Sequence, residues 1–313
     1  MRVVVRVPAT TANLGPGFDT LGLALKLHNT VDVETTPLGV EIDVTGIGSD
    51  LVPRSTNNTV YRALQAVFDR AGARRPGMKI RIHNEVPVTR GLGSSATAIV
   101  GGLVAGNALC GYRLSDDELL QMAVAIEGHP DNVAAALYGG FVVSGTVDNR
   151  VYAERFSPPS GLRLAVVIPE FPLSTVASRG VLPKMVSFRD AVANMNAVAL
   201  MVTALAKKDM SLLATAMRDR LHEPYRFALI PGALKAVSAA KTAGALCVAL
   251  SGSGPSIIAF GTCDMKCVAD RMRDELADVG VAATTKLLIP SVIGAEVVKG
   301  PSHENGGEMM VSG

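Results

Sequence analysis

The sequence predicts an α+β protein of two domains. Strand and helix patterns are mixed along the chain without the strict β-α alternation of a doubly wound sheet. The chain has 313 residues, which is long for one hydrophobic core. Pro158-Pro-Ser-Gly161 is the strongest boundary signal. We therefore expect an N-terminal domain over 1–157, a C-terminal domain over 162–298 and a flexible, Gly-rich polar tail over 299–313.

Charge and cysteine content exclude several classes of protein. The formal net charge is +2, and Lys and Arg are scattered without a basic run, so we expect no nucleic-acid partner. The first residues lack the apolar core of a signal peptide. The cysteines have neither the spacing nor the neighbouring histidines of a zinc site, and we interpret them as reduced packing residues of a cytoplasmic protein: Cys110, Cys247, Cys263 and Cys267.

The longest uncharged stretch, 91–112, is long enough to span a membrane. Gly102 and Gly106 form a G-x-x-x-G pattern, which also suits a membrane packing face. However, the stretch contains six glycines, opens with a turn and has no second segment like it. We therefore favour a helix buried between soluble layers and expect no membrane partner.

The N-terminal half begins with strands and one capped helix. Residues 2–7 predict a first strand, which we expect Pro8 to end, and residues 23–35 and 38–46 alternate as further strands. Residues 57–71 predict an amphipathic helix that starts at an Asn and stops before Gly72. Another strand follows at 78–83.

The segment 87–101 is the organising stretch of the chain, because it joins this strand to a long helix of small residues. Gly91 and Gly93 would allow the backbone to approach a ligand where a Cβ would intrude. Ser94 or Ser95 can cap the helix, whose free N–H groups and positive dipole end suit a phosphate. The Walker and dinucleotide glycine patterns are both absent. Taken alone, this stretch is compatible with phosphate binding and equally with an ordinary strand–helix turn.

The rest of the chain continues the mixed pattern. Ser115 opens a capping box for a helix that ends near Glu127, and a short helix restarts after the interruption at 127–132. The remaining elements are predicted strands at 139–144, 151–156, 162–169, 246–250, 256–260 and 281–288, and helices at 187–206, 209–220, 231–243 and 264–279.

Several separated motifs resemble one family. Residues 87–97, with Gly-Leu-Gly-Ser-Ser-Ala at their centre, resemble the phosphate loop of the GHMP kinases, named for galactokinase, homoserine kinase, mevalonate kinase and phosphomevalonate kinase. Residues 8–22 resemble the first motif of this family and 251–255 its third. The motifs at 11–22, 127–132 and 173–179 are similar to the homoserine kinase branch. The resemblance covers residues 2–298 in the expected order.

This resemblance implies a fold and an activity. We expect an N-terminal ATP-binding domain with a left-handed β-α-β crossover, a ferredoxin-like C-terminal domain, and an active site between them. The implied reaction transfers the γ-phosphoryl group of ATP to the side-chain hydroxyl of L-homoserine, on the way to threonine. A homodimer is also implied, because family members are often homodimers.

The resemblance further implies the nucleotide and metal residues. Ser95 and Glu127 would be catalytic as ligands of Mg²⁺, which prefers oxygen donors. Asn58 would border the adenine pocket, and a plain N-cap is an equal alternative for this residue. The expected ATP-binding positions are Asn58, Pro87, Val88, Thr89, Arg90, Gly91, Leu92, Gly93, Ser94, Ser95, Ala96 and Thr97. Thr97 and Arg90 depart from the family pattern, and Arg90 could touch the nucleotide or point to solvent.

The implied acceptor site would hold an amino-acid zwitterion. Arg179 and Arg226 match the positions that bind the carboxylate, because a guanidinium fork fits that group in plane. Asp19 would pair with the ammonium. The other substrate-contacting positions are Asn13, His129, Asn132 and Thr175. Each of these residues could alone have a structural role, as a turn residue or a salt-bridged arginine, but together they form a chemically coherent set.

Asp131 has two interpretations. Some family members place an aspartate beside the acceptor hydroxyl, which would make Asp131 a general base. Phosphoryl transfer asks little of its nucleophile, however, and we expect Asn132 to orient the substrate while Asp131 serves the turn. Two other functions remain open: a sibling kinase acting on mevalonate, shikimate or a sugar, and a catalytically silent binding protein on the same fold. Neither mevalonate, shikimate nor a sugar carries an ammonium, so Asp19 beside two arginines favours homoserine.

Overall fold

The computed structural model describes residues 1–300, which form two sheets with helices packed against them. The first sheet has seven strands: β1 (Arg2–Asn13), β2 (Gly17–Thr36), β3 (Val40–Gly46), β4 (Gly77–Asn84), β5 (Phe141–Val147), β6 (Arg150–Phe156) and β11 (Glu296–Lys299). Four helices belong to this part: α1 (Thr59–Arg70), α2 (Ser94–Leu109), α3 (Asp116–Glu127) and α4 (Pro130–Tyr138).

The first sheet has the order β11-β1-β2-β4-β3, and β5 pairs with both β2 and β6. β3 and β4 are parallel neighbours with α1 in their connection, so the predicted β-α-β unit is present. Its left-handedness stays a prediction. The core of this part joins sheet residues such as Val5, Val33 and Ile80 to helix residues such as Leu64 and Leu103, all of them buried.

The second sheet has four strands, β7 (Arg163–Pro169), β8 (Cys247–Leu250), β9 (Ile257–Gly261) and β10 (Ala283–Leu288). Their order is β10-β7-β9-β8 with every pair antiparallel, which is the ferredoxin-like arrangement and confirms that prediction. The helices of this part are α5 (Thr175–Gly180), α6 (Phe188–Lys207), α7 (Met210–Ala216), α8 (Glu223–Arg226), α9 (Ala233–Thr242) and α10 (Lys266–Ala277). The predicted α+β class is therefore confirmed.

The first hairpin corrects one prediction. Pro8 does not end the first strand, because β1 continues to Asn13. Its pairing partner changes from His28 at Pro8 to Leu25 at Ala9, so a bulge lies where proline has no N–H to give to the ladder. This extension carries the chain directly into the cleft between the two sheets.

The end of the chain corrects a second prediction. The division at 1–157 and 162–298 stays a prediction, but β11 joins the first sheet by pairing antiparallel with β1. The preceding segment is bound there as well, through backbone hydrogen bonds such as that from the Ala295 N–H to the Ala136 carbonyl at 2.8 Å. Lys299, expected in the tail, is thus part of a strand. Gly300 follows this strand, and the predicted tail residues 301–313 lie outside the described residues.

The uncharged stretch forms α2, which packs inside the first domain. A Cβ on Gly102 would overlap the backbone of Val60 on α1, so this glycine permits close contact between two helices. None of the helices within residues 1–300 has the length and apolar character needed to cross a membrane. All four cysteines are free. Cys110 and Cys247 are buried, but Cys263 and Cys267 are exposed, so their prediction as packing residues is wrong.

Candidate active site

A cleft of about 370 Å³ lies between the two sheets and gathers most of the predicted site. The predicted residues that line it are Asn13, Asp19, Asn58, Val88, Thr89, Arg90, Gly91, Gly93, Ser94, Ser95, Glu127, His129, Asn132, Thr175, Arg179 and Arg226. Four predicted nucleotide positions do not line it. Pro87 lines a neighbouring groove, while Leu92, Ala96 and Thr97 are buried and can offer a ligand only their backbone.

The loop 87–93 delivers the start of α2 to the cleft. Gly93, with φ +72°, is the N-cap, and no side chain caps the helix. Ser94 and Ser95 are the first helical residues, so the expectation that one of them is the cap is wrong. The first N–H groups of a helix have no partner within the helix. Here they face the cleft together with the positive end of the dipole, which is an arrangement suited to an anion.

The two loop glycines are required by the protein itself. A Cβ on Gly93 would overlap Thr10 of β1, and one on Gly91 would overlap the Ser251 carbonyl. Both residues also have positive φ. Packing within the protein is thus one reason for these glycines, and the expected second reason, close approach of the backbone to a ligand, stays a prediction. They allow the loop to pack between β1 and the turn 251–254, where the Ser251 hydroxyl donates to the Gly91 carbonyl at 2.7 Å.

The two predicted metal ligands touch each other. The Ser95 hydroxyl donates to the Glu127 carboxylate at 2.7 Å, which joins the start of α2 to the end of α3. Burial raises the pKa of Glu127, against the lowering effect of this hydrogen bond. A hydroxyl and a carboxylate oxygen at the mouth of a phosphate loop are the hard donors that Mg²⁺ prefers, so this pair fits the ion chemically.

Asp131 is the centre of a buried network. Its side chain lies at the start of α4, is almost fully buried and accepts hydrogen bonds from the Asn132 backbone N–H at 2.8 Å and from the Asn132 amide at 3.2 Å. His129 Nδ1 lies 2.7 Å from the same oxygen. The Asn132 amide oxygen in turn accepts from Thr10 at 2.7 Å. Asp131 therefore holds the turn and orients its two neighbours, but it also lines the cleft, so its role as a turn residue and not as a base stays a prediction.

The pKa of His129 is raised. Its burial acts to lower the pKa, but the hydrogen bond and charge of Asp131 outweigh this effect. Asp19, His129 and Asp131 each have one potential metal-ligand atom within 4.8 Å of those of the other two, a spacing that could suit a metal. Asp19 is already paired with Arg179, however. Asp131 already contacts the Asn132 backbone N–H, the Asn132 side-chain amide and the ring of His129. The carboxylates of Asp19 and Asp131 are therefore already engaged by protein groups.

Asp19 and Arg179 contact each other across the cleft. The Arg179 guanidinium donates two hydrogen bonds to the Asp19 carboxylate, at 2.6 and 2.9 Å. Asp19 has φ +55°, and the Asn13 amide oxygen accepts from its backbone N–H at 2.9 Å. Asn13 also donates to the Gly252 carbonyl at 2.8 Å, which ties the first motif to the turn 251–254.

Arg226, at the end of α8, is a buried guanidinium without a salt bridge to any carboxylate in residues 1–300. Burial lowers its pKa to about 10, and the nearby Arg179 contributes in the same direction. Its Nε donates to the Ser178 carbonyl at 3.2 Å. Thr175 lies opposite on α5, exposed, with its hydroxyl 3.5 Å from that of Ser253.

The structure shows what Asn58 and Arg90, two further residues that line the cleft, contact. Asn58 caps α1 by accepting from the Val60 N–H at 2.9 Å, and its amide donates to the Pro53 carbonyl at 2.7 Å. Its N-cap role is confirmed, and its place beside adenine stays a prediction. Arg90 lines the cleft, and its guanidinium donates to the Glu170 carbonyl of the second domain at 2.6 Å. Its side chain is therefore held by the protein and does not extend freely into solvent.

The sequence analysis did not predict every residue and helix of the site. Phe18 and His222 lie directly behind the two arginines, although neither carries a charge signal that would single it out. Phe18 was within a recognised motif, which was the available clue. Helices α5 and α8, which carry Thr175, Arg179 and Arg226, were also missed, because they have six and four residues and no helical periodicity can be read over such lengths.

Comparisons with known proteins identify the family of the chain. Residues 58–140 match the model of the GHMP kinases N-terminal domain, and residues 201–281 match that of the GHMP kinases C-terminal domain. The chain is 48% identical over 295 residues to a homoserine kinase of Moorella thermoacetica, covering 94% of this chain and 99% of that protein. It is 50% identical over 313 residues to a homoserine kinase of Symbiobacterium thermophilum, covering 96% of each.

Solved structures give the same grouping. The crystal structure of homoserine kinase from Cytophaga hutchinsonii superimposes with a TM-score of 0.87 at 32% identity, covering 95% of this chain and 97% of that one. Mevalonate kinase of L. major, solved with R-mevalonate, has a TM-score of 0.68 at 18% identity, covering 93% and 96%, and shares the fold. From its sequence relatives, its fold and its cleft, the chain belongs to the homoserine kinase family of the GHMP kinases.

Proposed function

We propose that this protein transfers the γ-phosphoryl group of ATP to the side-chain hydroxyl of L-homoserine and produces O-phospho-L-homoserine for threonine biosynthesis. The observation that carries the proposal is that two chemically different groups of residues line one cleft. The start of α2 with Ser95 and Glu127 forms the first group, which we call the nucleotide end, and Asp19 with Arg179 and Arg226 forms the second, which we call the acceptor end. The first suits a nucleotide phosphate, and the second suits a zwitterion.

At the nucleotide end, the protein contributes backbone donors and a pair of oxygen ligands. The N–H groups of the first turn of α2 bind phosphate oxygens and fix their position. Ser95 and Glu127 would hold Mg²⁺, which supplies neutralisation of the phosphate charge when bound. The Glu127 carboxylate must be ionised for this role, against the burial that raises its pKa.

At the acceptor end, charge complementarity selects the substrate. Arg226 is a buried cation that lacks a carboxylate partner within residues 1–300, so a substrate carboxylate would supply one. Asp19 would accept hydrogen bonds from the ammonium with the lone pairs that Arg179 leaves available. A substrate with both groups on one carbon, and a hydroxyl two carbons further, then presents that hydroxyl towards Asn132 and the phosphate end.

Catalysis in this proposal comes from positioning. The Asp131 carboxylate is engaged by Asn132 and His129 and is almost fully buried, which favours a role in orienting them. Because the transition state of phosphoryl transfer is loose, the acceptor hydroxyl can lose its proton late or to the phosphate itself. Ser95, Glu127 and Asn132 are the residues that we assign to the catalytic centre.

A panel assay tests this function. Phosphate transfer from ATP would be measured with L-homoserine, mevalonate, shikimate and galactose, using purified wild-type protein and Glu127→Gln as the control for a contaminating kinase. We expect homoserine to be the preferred acceptor and Glu127→Gln to lose most of the activity. Preference for mevalonate or shikimate would instead indicate a sibling kinase, and no transfer to any acceptor would indicate a binding protein.

We infer in addition that the enzyme is a cytoplasmic homodimer. The dimer is supported by large exposed apolar side chains in the second domain, where Val176 is 83% and Met185 is 87% exposed. A second copy of the chain would cover them. Sedimentation velocity of the wild type and of Met185→Asp distinguishes a dimer through this surface from a monomer.

A further inference from the structure

Arg226 is held by contacts that leave one of its donors facing the cleft. Its Nε donates to the Ser178 carbonyl, and its Nη1 is 3.4 Å from the Gly252 carbonyl and 3.3 Å from Nδ1 of His222. Nη2 makes no hydrogen bond within residues 1–300. Since Arg226 lines the cleft, Nη2 is the donor available to a bound group.

Phe18 lies close to both arginines of the acceptor end. The centre of its ring is 5.0 Å from the guanidinium carbon of Arg226 and 5.3 Å from that of Arg179. Both distances are within the range of cation–π attraction. Two guanidinium groups repel each other, and an aromatic ring attractive to both offsets that repulsion and sets their spacing. The ring of His222 packs on Phe18 as well, at 5.2 Å between centroids and 30° between planes.

His222 fixes the other side of Arg226. An arginine can only donate, so Nδ1 of His222 must accept from it. The proton of the ring is then on Nε2, which donates to the Gly15 carbonyl at 2.7 Å. Burial lowers the pKa of His222, in agreement with a neutral ring. Both ring nitrogens are therefore used, one on Arg226 and one on the turn that follows β1.

We propose that Phe18 and His222 are positioning residues that hold the guanidinium of Arg226 with Nη2 facing the cleft, and that they thereby set the affinity for the carboxylate of the acceptor substrate. The inference rests on the proposed function, because it presumes that homoserine is the acceptor. It adds two residues that determine how well the α-carboxylate is recognised.

The proposal makes a specific kinetic prediction. Phe18→Leu removes the aromatic face but keeps apolar bulk, and His222→Gln keeps a donor near Gly15 but removes the acceptor beside Arg226. We expect each to raise the KM for homoserine about tenfold, with kcat and the KM for ATP changed by less than about threefold. His222→Asn, whose amide oxygen occupies the place of Nδ1, should have an intermediate effect.

Two substrate analogues show whether the variants weaken recognition of the carboxylate or of the ammonium. As inhibitors competing with homoserine, 4-hydroxybutyrate keeps the carboxylate and lacks the ammonium, whereas 3-aminopropan-1-ol keeps the ammonium and lacks the carboxylate. In the variants, the inhibition constant of 4-hydroxybutyrate should rise by the same factor as the KM for homoserine, and that of 3-aminopropan-1-ol should not change. A merely structural role would weaken both analogues and ATP together.

Matched controls are Phe171→Leu, a half-buried phenylalanine of the second domain, and His83→Gln, an exposed histidine of β4. Both should behave as the wild type. An unchanged KM for homoserine in Phe18→Leu, or an equal loss for both analogues, would overturn the proposal. If His222→Gln does not fold, Phe18→Leu decides, because this side chain is only half-buried. A wild type that does not phosphorylate homoserine would refute the proposed function instead.

Discussion

The guanidinium of Arg179 and the carboxylate of Asp19 form a two-bond ion pair, at 2.6 and 2.9 Å, that connects the second domain to the first across the cleft. Hydrogen bonding to Asp19 raises the pKa of Arg179, against the opposing effect of its burial. The two groups expected to bind the opposite charges of the substrate therefore bind each other. A zwitterion entering the site presents the same pair of charges and can share both partners.

Asp19→Asn tests the role of this pair. The amide still contacts Arg179 but has no charge to attract an ammonium, so we expect the KM for homoserine to rise by about tenfold or more. Activity with 4-hydroxybutyrate, which has no ammonium, should fall much less. Steady-state kinetics with both acceptors provide the measurement. Equal losses for the two acceptors would mean that Asp19 only holds Arg179 in place.

Gly93→Ala should destabilise the protein rather than selectively block ATP. The positive φ alone costs a side chain about 1–2 kcal/mol, and the new Cβ would also overlap Thr10. Gly111→Ala is a matched control, because Gly111 has φ +76° and open space around its Cβ position. We expect a larger loss of unfolding free energy for Gly93→Ala than for Gly111→Ala, measured by urea denaturation. Equal losses would remove Thr10 from the explanation.

Asp131→Asn should lower kcat by less than about tenfold, below the range for losing a general base. The amide oxygen can still accept from the Asn132 N–H, so the turn that presents Asn132 is retained. Rapid-quench or coupled-assay kinetics at saturating ATP and homoserine measure the effect, with circular dichroism as the check of folding. A loss of a thousandfold or more in a folded variant that binds both substrates would make Asp131 the catalytic base.

Glu223→Gln should flatten the dependence of stability on pH. Burial raises the pKa of Glu223 from 4.5 to about 8, and its carboxyl oxygen accepts from the Leu250 N–H at 2.7 Å. Between these pH values the native state keeps a proton that the unfolded chain has released. The unfolding free energy therefore falls as pH rises through this window, by at most about 1.4 kcal/mol per pH unit, and this slope ends above about pH 8.

Urea denaturation from pH 5 to pH 9 measures this slope. Gln keeps an acceptor for Leu250 and cannot ionise, so the variant should lose less stability than the wild type as pH rises towards 8. Glu154→Gln, at an exposed carboxylate, is the control and should follow the wild type. Parallel curves for Glu223→Gln and the wild type would contradict the assignment.

Local signals in the sequence predicted the elements that depend on them. The capping box of Ser115 and Glu118 forms as expected, and so does the cap at Asn58, because both are set by residues three positions apart or fewer. The extension of β1 past Pro8 and the strand β11 were missed, since each depends on a pairing partner far away in the chain.

The site follows the same division. The family motifs identified which residues gather in the cleft, because a motif can be recognised from the sequence without any knowledge of interatomic distances. They did not reveal that Asp19 pairs with Arg179, nor that Phe18 and His222 support Arg226. Those contacts depend on how distant parts of the chain meet. Asp19 and Arg179, for example, are separated by 160 residues in the sequence. Only three-dimensional placement supplies this information.

The return of β11 to β1 has a consequence on the ribosome. Val5 pairs with Val297 and Arg6 with Glu296, so the outer edge of the first sheet is completed by nearly the last described residues to be translated. At 5–20 residues per second, the nascent chain carries β1 as an open edge for roughly 15–60 s. An open edge is a template for pairing with other chains. Premature termination before residue 296 would make that exposure permanent, and such truncated products should aggregate through β1 even though every residue of the phosphate loop has been made.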